Sequence, residues 1–402
     1  MKHLTPQIIK GKRVLMRVDF NVDVDEKGKV IDDFRIQRTL PTIRFLKEES
    51  AEKIILISHL GQPKKNDFWT EKFTLKPIAD YLEEILKEKI SFCSLKDFKE
   101  IKEVIDKSEK GAIWLLENIR YHEGENTNDK NLAQQLSQLG DIYINEAFSV
   151  SHREAASLCA ITEFLPSYPG LLFQEEIEHL NKIIKNSEPP TVMILGGAKM
   201  TDKIPVIEKF FNLANFILIG GAIANTILKS WNFEIGNSLF EEEMIEKAKN
   251  LGSDKAELIL PGDFLVLTKK QQKNKRELGK IEKEDTILDI GPVAASTFQR
   301  IISQARTIFW NGPMGRIEDE RFSEGTKIII EAILSNAKAR TLIGGGDTLM
   351  SIKLLKPEYR IPAYAGRQNT ENRFFSTGGG AMLKYLAGEN LPALRALENS
   401  KL

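Results

Sequence analysis

Short runs of β-branched and other apolar residues alternate with longer amphipathic stretches along the whole chain, and this alternation restricts the fold more than any other feature. The runs cover 13–20, 53–58, 112–116 and 141–145, then 191–195, 216–219, 264–267, 307–310 and 341–343. Helical spacing of apolar residues falls between them at 78–87, 132–139, 244–251 and 326–337. Strands that alternate with helices form parallel sheets, because each helix must carry the chain back across a sheet face. At 402 residues the chain also exceeds what one hydrophobic core usually holds. A break at Phe164-Leu165-Pro166-Ser167-Tyr168-Pro169-Gly170 interrupts any regular element, and Ser187-Glu188-Pro189-Pro190 opens a second series of strands. The expectation is an α/β protein of two doubly wound parallel-sheet (Rossmann-like) domains, 1–173 and 189–390, joined by a hinge helix within 174–188.

Charge narrows the function classes. The chain holds 57 basic and 57 acidic residues, so its formal net charge is zero. That balance argues against a general nucleic-acid or membrane-surface role. No apolar run is long enough to span a bilayer, and the opening Met1-Lys2-His3-Leu4-Thr5-Pro6 leads into no signal core. Cys93 and Cys159 have neither metal nor redox spacing, so they read as structural thiols in a reducing compartment. A soluble cytoplasmic protein is expected. The lysine-rich stretch 269–283 reads as a solvated loop or hairpin.

In open parallel sheets ligands bind beyond the carboxyl ends of the strands, and the unusual residue clusters of this chain sit there. Gly344-Gly345-Gly346-Asp347-Thr348 follows one strand-like run, and Ser376-Thr377-Gly378-Gly379-Gly380-Ala381 precedes a helical stretch. Such glycines let backbone N–H groups approach an oxyanion, although each cluster alone is equally a tight turn. Neither is a Walker A loop, since no Gly-Lys-Ser/Thr follows at the required spacing. Gly196-Gly197-Ala198-Lys199-Met200-Thr201-Asp202-Lys203 places two lysines four apart, on one face if a helix starts there. Glu318, after Trp310-Asn311-Gly312-Pro313-Met314-Gly315, could accept hydrogen bonds from ribose. Asp347 is the candidate Mg²⁺ ligand, whereas Asp289 in Asp289-Ile290-Gly291-Pro292 reads as scaffold.

The first half is richer in basic side chains. Asp19 and Asn21 in Arg17-Val18-Asp19-Phe20-Asn21 fall on one side of an extended segment and suit either substrate hydroxyls or turn chemistry. Arg35, His59, Arg120 and His152-Arg153 each follow or flank strand ends. Any one arginine could be a surface residue, but together they suggest a small, strongly anionic ligand.

These motifs, in order and along almost the whole chain, resemble the phosphoglycerate kinase family. The resemblance rests on Arg17–Asn21, His59-Leu60-Gly61, Gly196–Lys199, Asp289–Pro292, Trp310–Gly315, Gly344–Thr348 and Ser376–Gly380. It implies reversible, Mg²⁺-dependent phosphoryl transfer from 1,3-bisphosphoglycerate to ADP by a monomer. It further implies triose binding by Asp19, Asn21, Arg35, His59, Gln62, Arg120 and Arg153 on the first lobe. Lys203, Glu318 and Gly344, Gly345, Gly346, Asp347 and Thr348 would bind nucleotide on the second. Lys199, Arg35, Gly378 and Gly379 would surround the transferring group, and the tail 391–402 would return to the first lobe.

Departures from the family pattern are local. The usual arginine after His-Leu-Gly is Gln62, which removes a positive charge from the triose pocket. The common Asn-Asp-Ala-Phe-Gly-Thr-Ala-His-Arg is Asn145-Glu146-Ala147-Phe148-Ser149-Val150-Ser151-His152-Arg153 here, Asp23 replaces a proline, and Gly220–Asn225 differs from the usual segment. Two other readings stay open at this point: a different acyl-phosphate kinase, or a non-catalytic nucleotide-binding protein on the same fold.

Overall fold

Among the residues described by the computed structural model (3–67, 69–252, 255–359, 361 and 372–400), two parallel sheets dominate. The first contains β1 (Arg13–Arg17), β2 (Lys53–Ile57), β3 (Ile90–Cys93), β4 (Ala112–Leu116), β5 (Ile142–Asn145) and β6 (Ser167–Pro169), in the order β3-β4-β2-β1-β5-β6. Its central strands are buried throughout rather than on alternate residues, as expected when both faces are covered. Val14, Met16, Ile54, Leu56 and Leu115 form one core with Ile36, Leu40 and Ile43 of the helix Phe34–Glu48 and Ile78 and Leu82 of the helix Lys76–Leu86.

The second parallel sheet contains β7 (Thr191–Leu195), β8 (Phe216–Ile219), β9 (Glu257–Ile259), β13 (Thr307–Asn311), β14 (Arg340–Gly344) and β15 (Arg373–Ser376), in the order β15-β14-β13-β7-β8-β9. A small antiparallel sheet, ordered β11-β10-β12, is formed by β10 (Asp263–Leu267), β11 (Lys273–Glu277) and β12 (Thr286–Ile290). The run 264–267 therefore does not join the parallel alternation that the sequence suggests. The residues after it are too few and too polar to make a crossover helix. They turn at Gln271, in left-handed conformation, and pair back so that Val266 faces Asn274. The lysine-rich stretch is thus the hairpin alternative.

By contacts the chain divides into Met1–Ile177 with Asn390–Leu402, and Glu178–Glu389. The division falls inside one helix, Leu171–Lys185. That helix starts three residues earlier than the connector expected at 174–188. The Glu146 carboxylate accepts from the N–H groups of Leu172 and Phe173, both at 3.1 Å, and so caps its first turn. The last helix, Pro392–Asn399, belongs to the first unit. The final two residues of the tail read as 391–402 lie outside the described residues.

Candidate active site

In the first unit the site begins at the end of β1. Arg17 is 1% exposed, and its guanidinium donates to Ser157 Oγ (2.9 Å), to the carbonyl of Val18 and to His59 Nδ1 (3.1 Å). An arginine has no acceptor, so Nδ1 of His59 must accept and the imidazole proton sits on Nε2. Burial, aided by Arg17 and Arg120 against the opposing pull of Asp19, holds the His59 pKa well below its ordinary value. His59 is a neutral N–H donor.

Asp19 is equally committed. Its Oδ2 accepts from Arg35 Nη1 at 2.9 Å and from the Ser149 hydroxyl. Burial pushes its pKa up, but Arg35, the Ser149 hydroxyl and Arg17 outweigh burial and hold it well below the usual carboxylate range. Arg35 Nη1 also donates to the carbonyl of Asn21 (3.1 Å), while its remaining guanidinium N–H groups have no partner among the described residues. Asn21 accepts from Gly61 N at 2.7 Å, which clamps the loop after β2. Its side chain does turn chemistry at the edge of the site.

Arg120, in the turn Ile119–Tyr121, donates to the carbonyl of Gly61 from the other side. Burial and the nearby Arg153 and Arg17 lower its pKa to about 10, so it stays charged at neutral pH. Arg153 has a buried Nε with no partner among the described residues. Arg17, Gln62, Arg120 and Arg153 line one cavity of about 500 Å³. The Arg17–His59 contact ties this cavity to the Asp19–Asn21–Arg35 cluster.

In the second unit glycine turns follow the strands of one sheet. Gly312, after β13, has φ 92° and lies so close to the turn after β7 that a Cβ would meet Gly196 O at 2.3 Å. Gly221, after β8, has φ 61°, and a Cβ there would meet Gly197 N at 2.6 Å. Only glycine permits these three turns to pack together. Thr348 bolts the next turn on: its hydroxyl accepts from Gly312 N (2.7 Å) and donates to Gly344 O (2.9 Å). The side chain expected at the nucleotide therefore faces inward, because bridging two turns uses the hydroxyl. Thr348 is fully buried, in the first turn of the helix Gly346–Leu355.

Lys199 and Lys203 do not share a helical face. The helix is Ile204–Phe210, with Pro205 in its first turn, and Lys199 lies in the loop before it. That loop is held open by the Glu241 carboxylate, which accepts from Met200 N (2.9 Å) and Thr201 N (2.8 Å). Lys199 is exposed and has no partner among the described residues. Lys203 is buried, and its ammonium donates to Gly196 O. Burial lowers its pKa to about 8 against the raising effect of Asp347, Asp202 and Glu241.

A second cavity, of about 460 Å³, has Gly197, Leu239, Phe264 and Met314 on its walls and the exposed carboxylates of Glu318 and Asp347 at its edge. Apolar walls with a few polar groups suit a nucleoside. Asp289 also borders it, but its carboxylate is taken by Ile290 N (2.9 Å) and Gly325 N (2.8 Å), and burial raises its pKa to about 7. Gly345, with φ 105°, caps the helix Gly346–Leu355, and Gly378 caps the helix Gly379–Ala387 after β15.

Three residues of these sites lie within the motifs and segments quoted above but were assigned no role there. Arg17 carried a signal, as a lone charge ending the apolar run Val14-Leu15-Met16. Ser149 showed only as a departure from a family pattern. Asn311, whose Nδ2 donates to Gly344 O at 2.6 Å, stood within Trp310–Gly315 but was given no role of its own.

Comparison with known proteins agrees across the chain. The model of the family described as phosphoglycerate kinase matches residues 4–389. A phosphoglycerate kinase of Pseudothermotoga lettingae is 40% identical, with 100% of each chain covered. One of Aquifex aeolicus is 38% identical, covering 98% of this chain and 97% of that one. Among solved structures, phosphoglycerate kinase from Coxiella burnetii has a TM-score of 0.80 at 32% identity, covering 98% of both chains. The enzyme from Pyrococcus horikoshii has a TM-score of 0.83 at 30% identity, covering 98% of this chain and 97% of that one. The chain belongs to the phosphoglycerate kinase family.

Proposed function

We propose that this chain carries out its family's reaction, reversible phosphoryl transfer from 1,3-bisphosphoglycerate to ADP, with the triose on the first unit and the nucleotide on the second. The observation that carries the assignment of roles is the state of the charged groups. Asp19 and Glu125, the buried acids of the first site, already accept hydrogen bonds from the protein, while Arg35 and Arg153 keep donors with no partner among the described residues; a third acid, Glu154, is exposed at the cavity's edge. The site is therefore rich in uncommitted cations and suits an anion, and its buried acids are already taken up. The chemistry asks for no general base, since a phosphate oxygen of ADP and the carboxylate of 3-phosphoglycerate are both ionised at neutral pH.

In this reading Arg120, Arg153 and the Nε2–H of His59 hold the triose, with Asp19 and Asn21 fixing Arg35 and the Gly61 loop. Gln62 adds an amide. Lys203, Glu318 and the segment Gly344–Thr348 hold the nucleotide. Lys199, Arg35 and the N–H groups of Gly378 and Gly379 stabilise the charge on the phosphoryl group in flight. Mg²⁺ would be held by Asp347 with phosphate oxygens. The exposed Asp347 carboxylate at the cavity edge fits a cation that takes one or two carboxylates plus phosphates. When bound, the ion supplies charge neutralisation on the nucleotide. A cytoplasmic monomer is part of the same reading, supported by zero net charge and two free thiols.

The test is a coupled assay of ATP-dependent phosphorylation of 3-phosphoglycerate, with Mg²⁺ and with chelator. Mg²⁺-dependent turnover is the expected result. Folded protein that binds Mg-nucleotide but leaves 3-phosphoglycerate untouched would overturn the reading in favour of another acceptor.

A further inference from the structure

The triose cavity is lined by Arg17, Gln62, Lys64, Arg120, Glu125 and Arg153. Its ligand brings a phosphate monoester and a carboxyl group, so the count of free cations matters. Arg17 is spent on Ser157, Val18 and His59, with Glu125 4.0 Å away to balance its charge. Arg120 gives one donor to Gly61 O. Gln62 contributes no charge. Arg153 keeps a buried Nε with no partner among the described residues, and Glu154 sets an exposed carboxylate on the same cavity, so the cations left to an anion are Arg120, Arg153 and Lys64, which lies two residues beyond Gln62 on the loop.

Lys64 is placed for that purpose. Its backbone is pinned, because its N–H donates to Asp67 Oδ2 (3.1 Å) and its carbonyl accepts from Asp67 N (2.7 Å). The loop's start is pinned as well, by Asn21 and Arg120 on Gly61. The ammonium itself is exposed and has no ion pair among the described residues, whereas the adjacent Lys65 is taken by Glu123 at 2.7 Å. A fixed backbone with an ammonium that has no ion pair among the described residues at a cavity rim suits an anion contact, since only the side chain remains to be ordered on binding.

We propose that Lys64 is a substrate-binding residue whose ammonium pairs with the phosphate of the triose, at a rim where Gln62 offers only a neutral amide. The proposal rests on the assignment of this cavity to the triose. Steady-state kinetics of the full chain test it, with 3-phosphoglycerate and ATP varied separately. K64Q should raise KM for 3-phosphoglycerate about tenfold, the size of one hydrogen bond to a charged group, and much more than it changes KM for ATP. Adding Q62R should restore most of that loss, because an arginine there returns the charge to the same rim. R153A serves as the control for the cavity. An unchanged K64Q beside an impaired R153A would overturn the role of Lys64 and leave the cavity assignment standing. No effect in either variant would overturn both. An impaired K64Q that Q62R does not rescue would show a structural effect of the substitution and overturn the proposed charge contact.

Discussion

Arg35 is held by Asp19 and the Asn21 carbonyl through one nitrogen, which leaves the rest of its guanidinium aimed by the protein and unused by it. Lys199 has no partner among the described residues and lies in a loop held by Glu241. In the proposed roles, both are cations whose interaction would strengthen as charge spreads over a phosphoryl group in transfer. Arg35→Ala and Lys199→Ala should each lower kcat by about 10²–10³-fold and raise KM much less, as steady-state kinetics would show. Lys203 makes a different prediction. With its pKa lowered to about 8 by burial, it is charged at neutral pH and loses that charge as pH rises through this value. A bound polyphosphate favours the charged form, so nucleotide affinity should fall above about pH 8 and binding there should take up a proton. Titration calorimetry in buffers of different ionisation enthalpy would detect the uptake, and Lys203→Met should abolish it. The unfolded chain keeps the ordinary lysine value of 10.5, so in the free protein this group's effect on stability runs the other way, improving as pH rises from about 8 toward 10.5.

At the scale of elements, periodicity and β-branched runs made eight of the twelve parallel strands legible and glycine clusters marked loops at their carboxyl ends, but β3, β9 and β15 were not read, and β6 pairs with β5 inside the Phe164–Gly170 segment read as a break. Contacts between elements distant in sequence were not legible. Nothing local to 199–203 shows that Glu241 will hold that segment out of a helix. Nothing near 264–267 shows that Asp263 will cap the helix Pro292–Gln304 by accepting from Val293 N (3.1 Å) and Ala294 N (2.8 Å), which draws β10 into a separate sheet. Glu146 is a third such joint and yields a prediction. It binds the first turn of the helix Leu171–Lys185 and accepts from Thr42 of the helix Phe34–Glu48, so one carboxylate joins β5's end to two helices. Burial raises its pKa from 4.5 to about 7. An acid with a raised folded pKa takes up a proton on folding, so its contribution favours folding at low pH and fades as pH climbs through about 7. Glu146→Gln keeps the acceptor without the titration. Denaturant unfolding of the wild type should show a loss on the order of 2–3 kcal/mol between about pH 4.5 and 7 from this group, and the variant should lack that slope.

For the molecule as a whole, the order of the chain is part of how the first site is built. The last helix, Pro392–Asn399, is short and buries only Ala393, Leu394 and Leu397, with Leu391 buried just before it. Its Ala393 packs with Ala147, Val150, Ala155 and Leu158, and its N–H donates to Ser151 O at 3.1 Å. That partner segment carries Ser149, which donates to Asp19, and Arg153, which lines the triose cavity. The chain's end thus supports from behind the stretch that frames the cavity in front, although some 240 residues separate them in sequence. Deleting 390–402 removes three buried leucines and the burial they provide, a loss on the order of 5 kcal/mol that rivals the net stability of a whole domain. The truncated chain should therefore unfold in two steps, with the first unit melting well before the second. Binding of Mg-nucleotide by the second unit should survive, since none of its contacts involves the deleted residues. Affinity for 3-phosphoglycerate should be lost together with the first transition. A single transition at the wild-type temperature, with KM for 3-phosphoglycerate unchanged, would mean that the segment 147–158 holds its shape without the terminal helix.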